Sequence, residues 1–250
     1  MASSEQIITD GLAKTYYDAR RGEIHAAVGI SITCCAGEVF GLLGTNGAGK
    51  TTTLRMLSTV LQPTAGRAWV AGFEIGENPQ AVRERIGFLS SDTGIYGRIT
   101  AREMMSYFGR LYGLLPNVIE ERIKEFSARF DMREFLDTRC EKLSSGQRQK
   151  VSIGRTIIHD PPVLILDEPT TGLDVLAAAE ILRFIQEARA EGSCILLSTH
   201  IMREAEKLCD RMAILHEGQV QAAGTLPQLY EQMQTTDLEE VFLKVVGALV

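Results

Sequence analysis

One stretch restricts this chain more than any other: Gly44-Thr45-Asn46-Gly47-Ala48-Gly49-Lys50-Thr51-Thr52, preceded by the apolar run Val39-Phe40-Gly41-Leu42-Leu43. An apolar strand that runs into a glycine-rich turn, with Lys-Thr opening an apolar-periodic helix, has the spacing of a phosphate-binding loop. Its glycines allow backbone torsions closed to other residues, so successive N–H groups can turn inward around phosphate oxygens. Lys50 is placed to reach the terminal phosphates, and Thr51 offers a hydroxyl to a magnesium ion. The helix starting near Lys50 adds the positive end of its dipole.

A second signal lies at Val163-Leu164-Ile165-Leu166-Asp167-Glu168. Four apolar residues predict a strand buried on both faces, with two carboxylates at its C-terminal end, where open α/β sheets bind ligands. Asp167 suits a magnesium ion held through water, because a hard cation takes oxygen ligands and keeps several waters. Glu168 suits orientation of an attacking water. Taken alone, the pair is equally an acidic surface feature.

Ser144-Ser145-Gly146-Gln147 is a capping box, and so a well-made helix start. The same hydroxyls and free N–H groups suit an anion. One loop already cradles one face of a nucleotide, so a second, remote helix start points to a nucleotide held by another copy. His200 follows the apolar run 194–198 and Ser198-Thr199. It is either a structural histidine or a contact to a γ-phosphate.

Composition removes several classes. A net charge of −6 gives no basic surface for nucleic acid and opposes adhesion to an anionic membrane. No run of about 18 apolar residues predicts a membrane span, and residues 1–6 carry no basic, apolar leader. The 5 cysteines (Cys34, Cys35, Cys140, Cys194, Cys209) show no Cys-x-x-Cys spacing. Reduced structural thiols, and hence a cytosolic setting, are the expectation.

Along the chain, strands are predicted over 7–17, 25–33, 39–43, 67–75 and 86–89. Helices are predicted from Lys50 to 61 and over 79–85. Residues 100–159 read as an all-helical insertion. Thr100-Ala101-Arg102-Glu103 forms a capping box before a stripe of Met104, Phe108 and Leu111. A second helix starts at Asn117, with Glu120 and Glu121 in its first turn, and a third runs from 145 to 159. Strand–helix alternation resumes over 163–167, 175–191, 194–198, 201–208 and 212–215, with Asp174 as a helix cap and a turn at Glu217-Gly218. Helices over 227–232 and 238–246 finish the chain. Such alternation predicts a mostly parallel sheet flanked by helices.

With these residues in hand, the chain resembles an ATP-binding cassette (ABC) transporter ATPase subunit over residues 8–247. The motifs are the Walker A loop at 44–51, the signature at 143–147, Walker B at 163–167, a D-loop at Gly172-Leu173-Asp174, and Ser198-Thr199-His200. The resemblance implies a P-loop NTPase fold of ABC type in one domain, 1–250. Residues 1–99 and 160–224 would be the core with an N-terminal antiparallel β-subdomain, 100–159 an inserted helical subdomain, and 225–250 a C-terminal helical extension. It also implies Glu168, His200 and Lys50 as catalytic residues. ATP would be bound by Tyr16, Gly44, Thr45, Asn46, Gly47, Ala48, Gly49, Lys50, Thr51 and Thr52. Ser144, Ser145, Gly146 and Gln147 would act from a second copy, with Asp174 at the dimer interface. Tyr16, in Lys14-Thr15-Tyr16, would stack on adenine, ahead of Tyr17. Mg2+ would be held by Thr51 and Asp167, with Ser91 a further candidate.

Two positions depart from the family pattern. Ser145 replaces a common glycine, and Ser91 stands where members usually carry the glutamine that helps hold magnesium and reports to the membrane domain. A water-bridged contact from Ser91, or participation of Asp92, is the expectation. The stretches 41–47, 98–103 and 107–113 resemble subunits of ABC-2-type exporters, most closely the sodium-efflux subgroup. The implied partners are a second ATPase domain and a polytopic membrane permease, with the subunit attached peripherally to the cytoplasmic membrane. Tyr96, Met105 and Tyr112 are candidates either for the permease groove or for core packing. The alternatives are a soluble ABC-type ATPase acting on a non-transport partner and a switch that hardly hydrolyses ATP. A guanine nucleotide is disfavoured, since no Asn-Lys-x-Asp occurs.

Overall fold

The computed structural model describes residues 5–20, 22–90 and 94–247. Inward and outward side chains alternate along β1 (Glu5–Asp18), which buries Ile7, Thr9 and Leu12. It pairs antiparallel with β2 (Gly22–Ile30) and β3 (Thr33–Cys35), two strands where the sequence predicts one. The chain then crosses through β4 (Val39–Leu43) and α1 (Lys50–Leu57), and returns to pair β5 (Ala65–Val70) with β1. The expected strand over 67–75 is a hairpin, because β6 (Phe73–Glu74) folds back on β5 around Ala71 (φ 49°) and Gly72 (φ 82°). Two central residues at positive φ give the turn whose twist matches antiparallel strands. Full burial of Ile7, Leu12, Ile30 and Val70 contributes about 1.5–3 kcal/mol each. Helix α1 stops four residues short of the expected end, with Thr59 at φ 60° closing it.

After α2 (Pro79–Arg83) and β7 (Ile86–Leu89) come three helices: α3 (Ala101–Leu111), α4 (Pro116–Arg129) and α5 (Ser145–Ile157). The Thr100–Glu103 box caps α3 as predicted. Helix α4 begins at Pro116, so Glu120 and Glu121 lie beyond its first turn. Met104, Ile119, Ile123, Phe126 and Phe130 are buried among these helices, and Met105 is buried with them. That burial decides between the two alternatives for Met105: it is core packing, not groove.

The remaining elements are β8 (Val163–Asp167), α6 (Val175–Ala190), β9 (Cys194–Thr199), α7 (Met202–Leu208), β10 (Arg211–His216), β11 (Gln219–Gly224), α8 (Leu226–Met233) and α9 (Leu238–Val245). The second sheet has the order β11-β10-β4-β9-β8-β7, parallel apart from the β10–β11 hairpin at Glu217-Gly218. Every residue of β4, β8 and β9 is buried. Alternation divides them: Leu164, Leu166, Ile195 and Leu197 pack with the helices, while Val163, Ile165, Cys194 and Leu196 join Leu54, Leu57 and the first sheet. All five cysteines are free. Burial pushes the Cys34 and Cys194 thiols up, and that of Cys209 up to about 12.

Candidate functional site

Sheet register creates the site. Leu43 pairs with Thr199, and Asp167 pairs with Ser198, so β4, β9 and β8 end level with one another. Three separate sequence signals therefore open onto one edge. In the loop after β4, Gly49 has φ 103°, and a Cβ there would lie 2.3 Å from the Ala26 carbonyl oxygen of β2. Only glycine fits. Lys50, 5% exposed, donates to the carbonyls of Gly44 (2.7 Å) and Thr45 (3.2 Å), and its Nζ lies 3.3 Å from Glu168 Oε1. The first N–H groups of a helix have no partner within it, so those opening α1 are available to an anion held by the loop.

Asp167 is buried at the end of β8 and receives two hydroxyls. Thr51 Oγ1 donates to its Oδ2 at 2.9 Å, and Ser198 Oγ to its Oδ1 at 2.6 Å. Glu168 takes up φ 48°, an uncommon backbone region for a residue with a side chain. Its N–H donates to both the carbonyl and the hydroxyl of Ser198, each at 3.1 Å. Its carboxylate meets His200 Nδ1 at 3.1 Å and accepts from Thr171 Oγ1 at 3.1 Å. Burial pushes the Glu168 carboxyl up, but the bond to His200, the Lys50 charge and Thr171 outweigh it and hold the group below its ordinary value. The arrangement is a cation, a fixed carboxylate and an imidazole around one strand edge, beside the glycine-rich loop and the start of α1. Such a set can bind a polyphosphate and orient a water against it.

Comparison with known proteins agrees. The family model of the ABC transporter matches residues 28–171. The chain is 44% identical over 228 residues to the ABC transporter ATP-binding protein NatA of Bacillus subtilis (strain 168), covering 91% of this chain and 93% of that protein. The chain belongs to the ABC transporter family. As a cassette of that family it is an ATP-binding, ATP-hydrolysing protein. It is also 37% identical over 214 residues to the Nod factor export ATP-binding protein I of Rhizobium sp. (strain N33), covering 86% of this chain and 70% of that protein. Among solved structures, the ATP binding subunit of an ABC transporter superposes with a TM-score of 0.87 at 30% identity, covering 96% of this chain and 99% of that one. The fold alone is shared with the dimeric cassette MJ0796 bound to ADP and Pi, at a TM-score of 0.79, 22% identity and coverage of 88% and 98%.

In this ABC cassette the signature residues stand apart from the strand-end cluster. Ser144 Oγ accepts from Gln147 N–H, and Gln147 Oε1 accepts from Ser144 N–H, so the box closes on itself. Ser145 opens α5 behind that cap. Among the described residues, no hydrogen bond or ion pair joins 144–147 to 44–52. Gly146 packs against α6: a Cβ there would lie 2.9 Å from Ala177 Cβ. Asp174 caps α6 through the N–H groups of Leu176 (3.0 Å) and Ala177 (2.9 Å). The next two side chains, Val175 and Leu176, are 84% and 79% exposed, an apolar pair beside the signature.

Tyr16 lies on β1 opposite Ile24, two residues from the Ala26 that abuts Gly49, and Lys14 Nζ lies 5.4 Å from its ring centroid. Tyr17 is far more exposed. Ser91 and Asp92 lie outside the described residues. Tyr112 lines a groove of about 200 Å³ together with Val60, Arg83, Phe88, Phe108 and Arg155. Tyr96 is exposed and meets Tyr107 edge-on at 6.1 Å.

Sequence reasoning did not single out Ser198 as a partner of both carboxylate residues, nor Thr171 as a donor to Glu168. Their signal was a hydroxyl at the end of an apolar strand and a threonine three residues past the glutamate. Neither has meaning until β9 is known to neighbour β8.

Proposed function

We propose that this chain is the ATPase subunit of a membrane exporter of ABC-2 type, powered by closing two copies head to tail over ATP and opening them after hydrolysis. One observation carries the reading: Lys50, Thr51, Asp167, Glu168 and His200 converge at one strand edge, while Ser144–Gln147 presents a capped helix start elsewhere. Walker A residues 44–52 and Tyr16 of one copy, with Ser144, Ser145, Gly146 and Gln147 of the other, enclose each nucleotide. Asp174 and the exposed Val175 and Leu176 lie along the closing surface.

Glu168 orients the attacking water, and its low-lying carboxyl keeps it an acceptor at neutral pH. Lys50 and the loop N–H groups stabilise charge growing on the γ-phosphate, and His200 holds Glu168 and that phosphate in register. The Thr51 hydroxyl and Asp167 carboxylate, 2.9 Å apart, form a hard-oxygen pair that fits Mg2+. Among the described residues no group of three or more His, Cys, Asp or Glu could hold a metal, which suits an ion that completes its shell with water and phosphate. Bound there, Mg2+ neutralises phosphate charge. Ser91 remains its further candidate ligand.

The chain is read as one cassette over 1–250, with 1–99 and 160–224 as the core, 100–159 as the helical lobe and 225–250 as the C-terminal extension. The groove lined by Phe88, Phe108 and Tyr112 suits a short helix of a polytopic permease, which would hold the subunit at the cytoplasmic membrane. Among the described residues no helix is long and apolar enough to cross a membrane itself. The names of the relatives support an exporter, and a sodium-efflux role rests on resemblance alone.

Glu168→Gln is the test. We expect nucleotide binding to persist, phosphate release to fall at least about 100-fold, and an ATP-dependent dimer to accumulate in light scattering. Normal turnover would overturn the assignment. Failure to co-purify with any polytopic membrane protein would favour a soluble ATPase.

A further inference from the structure

Glu204 is a buried carboxylate with no part in the mechanism above. It sits on α7, 9% exposed, and among the described residues no lysine or arginine pairs with it. Burying such a group is costly unless its bonds do something in return. Its partners are specific. Thr170 Oγ1 donates to Glu204 Oε2 at 2.8 Å, and Thr199 Oγ1 makes a longer contact to the same oxygen at 3.5 Å. Thr199 Oγ1 also accepts from Ile201 N–H at 3.0 Å, which ties down the residue after His200.

Thr170 lies two residues beyond Glu168, on a turn whose Thr171 both bonds back to the Glu168 carbonyl and donates to its carboxylate. Thr199 immediately precedes His200. One oxygen atom therefore joins the turn that carries the glutamate to the loop that carries the histidine. Ser198 makes a second tie between the same two segments, through Asp167 and the Glu168 N–H. Both Thr170 and Thr199 are buried, so water cannot easily replace either bond.

We propose that Glu204 is a positioning residue that sets the spacing of Glu168 and His200 by holding their two loops together through Thr170 and Thr199. The proposal rests on the catalytic reading of those two residues. A strand-end pair in contact at 3.1 Å tolerates little displacement, since misplacement of about 1 Å can cost about 100-fold in rate.

The test measures ATP turnover by the full chain at a temperature where circular dichroism shows each variant folded. Glu204→Ala and Thr170→Val should each lower kcat about 10- to 100-fold, with KM for ATP changed by less than about twofold. Glu204→Gln keeps an oxygen that can accept from Thr170 and should recover kcat to within about threefold of the parent. The double variant should be no slower than the worse single one, because both remove the same bond. Thr170→Val decides the matter if Glu204→Ala fails to fold. Parent-like kcat in Thr170→Val overturns the proposal, as does a Glu204→Gln variant no faster than Glu204→Ala. If Glu168→Gln itself turns over normally, the catalytic reading has failed. If Glu168→Gln is inactive while Thr170→Val is unaffected, only the role of Glu204 has failed.

Discussion

The strand-end cluster and the start of α5 are both rich in hydroxyls and backbone donors, yet they are built in opposite ways. At the strand ends every functional side chain is already held by another within the chain: Thr51 on Asp167, Ser198 on Asp167, and Lys50 and His200 on Glu168. Those bonds order the groups before substrate arrives, which is the condition for electrostatic catalysis. At Ser144–Gln147 the capping box closes on itself, and among the described residues no ion pair or hydrogen bond joins it to the strand-end cluster. The first region is an interlocked cluster. The second is a helix start closed on itself, which fits the proposed use by a second copy.

That contrast can be broken most directly by dividing the damage between two chains. Lys50→Ala removes the cation of the first region, and Gly146→Asp puts negative charge and bulk into the second, against Ala177. Each variant alone should lose turnover by about 100-fold or more, while Gly146→Asp still binds nucleotide. A mixture should regain activity, since one site of the mixed dimer then holds an intact loop and an intact signature. Phosphate release from the mixture checks this, and absence of recovery despite verified mixed dimers would end the two-chain reading.

Ser198→Ala should have the next largest effect. It strips a 2.6 Å bond from buried Asp167 and one of two acceptors from the Glu168 N–H, and should cost about 1–3 kcal/mol in denaturant unfolding. Turnover should fall with it. Ser144→Ala loses only its own cap, about 1 kcal/mol, and should leave nucleotide binding by the single chain untouched. Equal losses from the two serines would remove the distinction drawn here.

The effect expected to touch turnover least lies just past the far end of α5. His159 stacks on Tyr112 with ring centroids 3.5 Å apart, and its Nε2 lies 3.0 Å from the Ile86 carbonyl oxygen. Burial pushes its pKa down to about 4 from an ordinary value near 6.5, despite that bond. Between those values the unfolded chain binds the proton and the folded chain does not, so stability must fall as pH drops from about 6.5 towards 4. His159→Phe, which keeps a ring against Tyr112, should flatten that part of the Tm-against-pH curve, measured by scanning calorimetry. An unchanged slope would show that other groups set it.

Much of this was legible in the chain. The glycine-rich loop, the apolar runs before Asp167 and His200, and the capping boxes at Thr100 and Ser144 are local, short-range codes that depend on a few neighbouring residues. Where reading failed, the deciding contact was remote or the local code was weak. The hairpin at Ala71-Gly72 lacks the usual Asn or Asp, so residues 67–75 read as one strand. Met104 belongs to the legible stripe, whereas Met105 is open between groove and core until the closing of α3 against α5, where a Cβ on Gly154 would lie 2.7 Å from the Met105 sulfur, places it inside.

By itself, then, the sequence determined the phosphate loop, the acidic strand end, the separate signature helix and the family to which they point. Torsional freedom of glycine, strand-length apolar runs and reciprocal caps are properties of adjacent residues. Tertiary structure alone decided that β9 lies between β4 and β8, and with it the whole Ser198, Thr199 and Glu204 network. Its bonds from Ser198 to Asp167 and from Thr170 to Glu204 join residues 31 and 34 positions apart. Their partners are chosen by strand order and register, which no local pattern encodes.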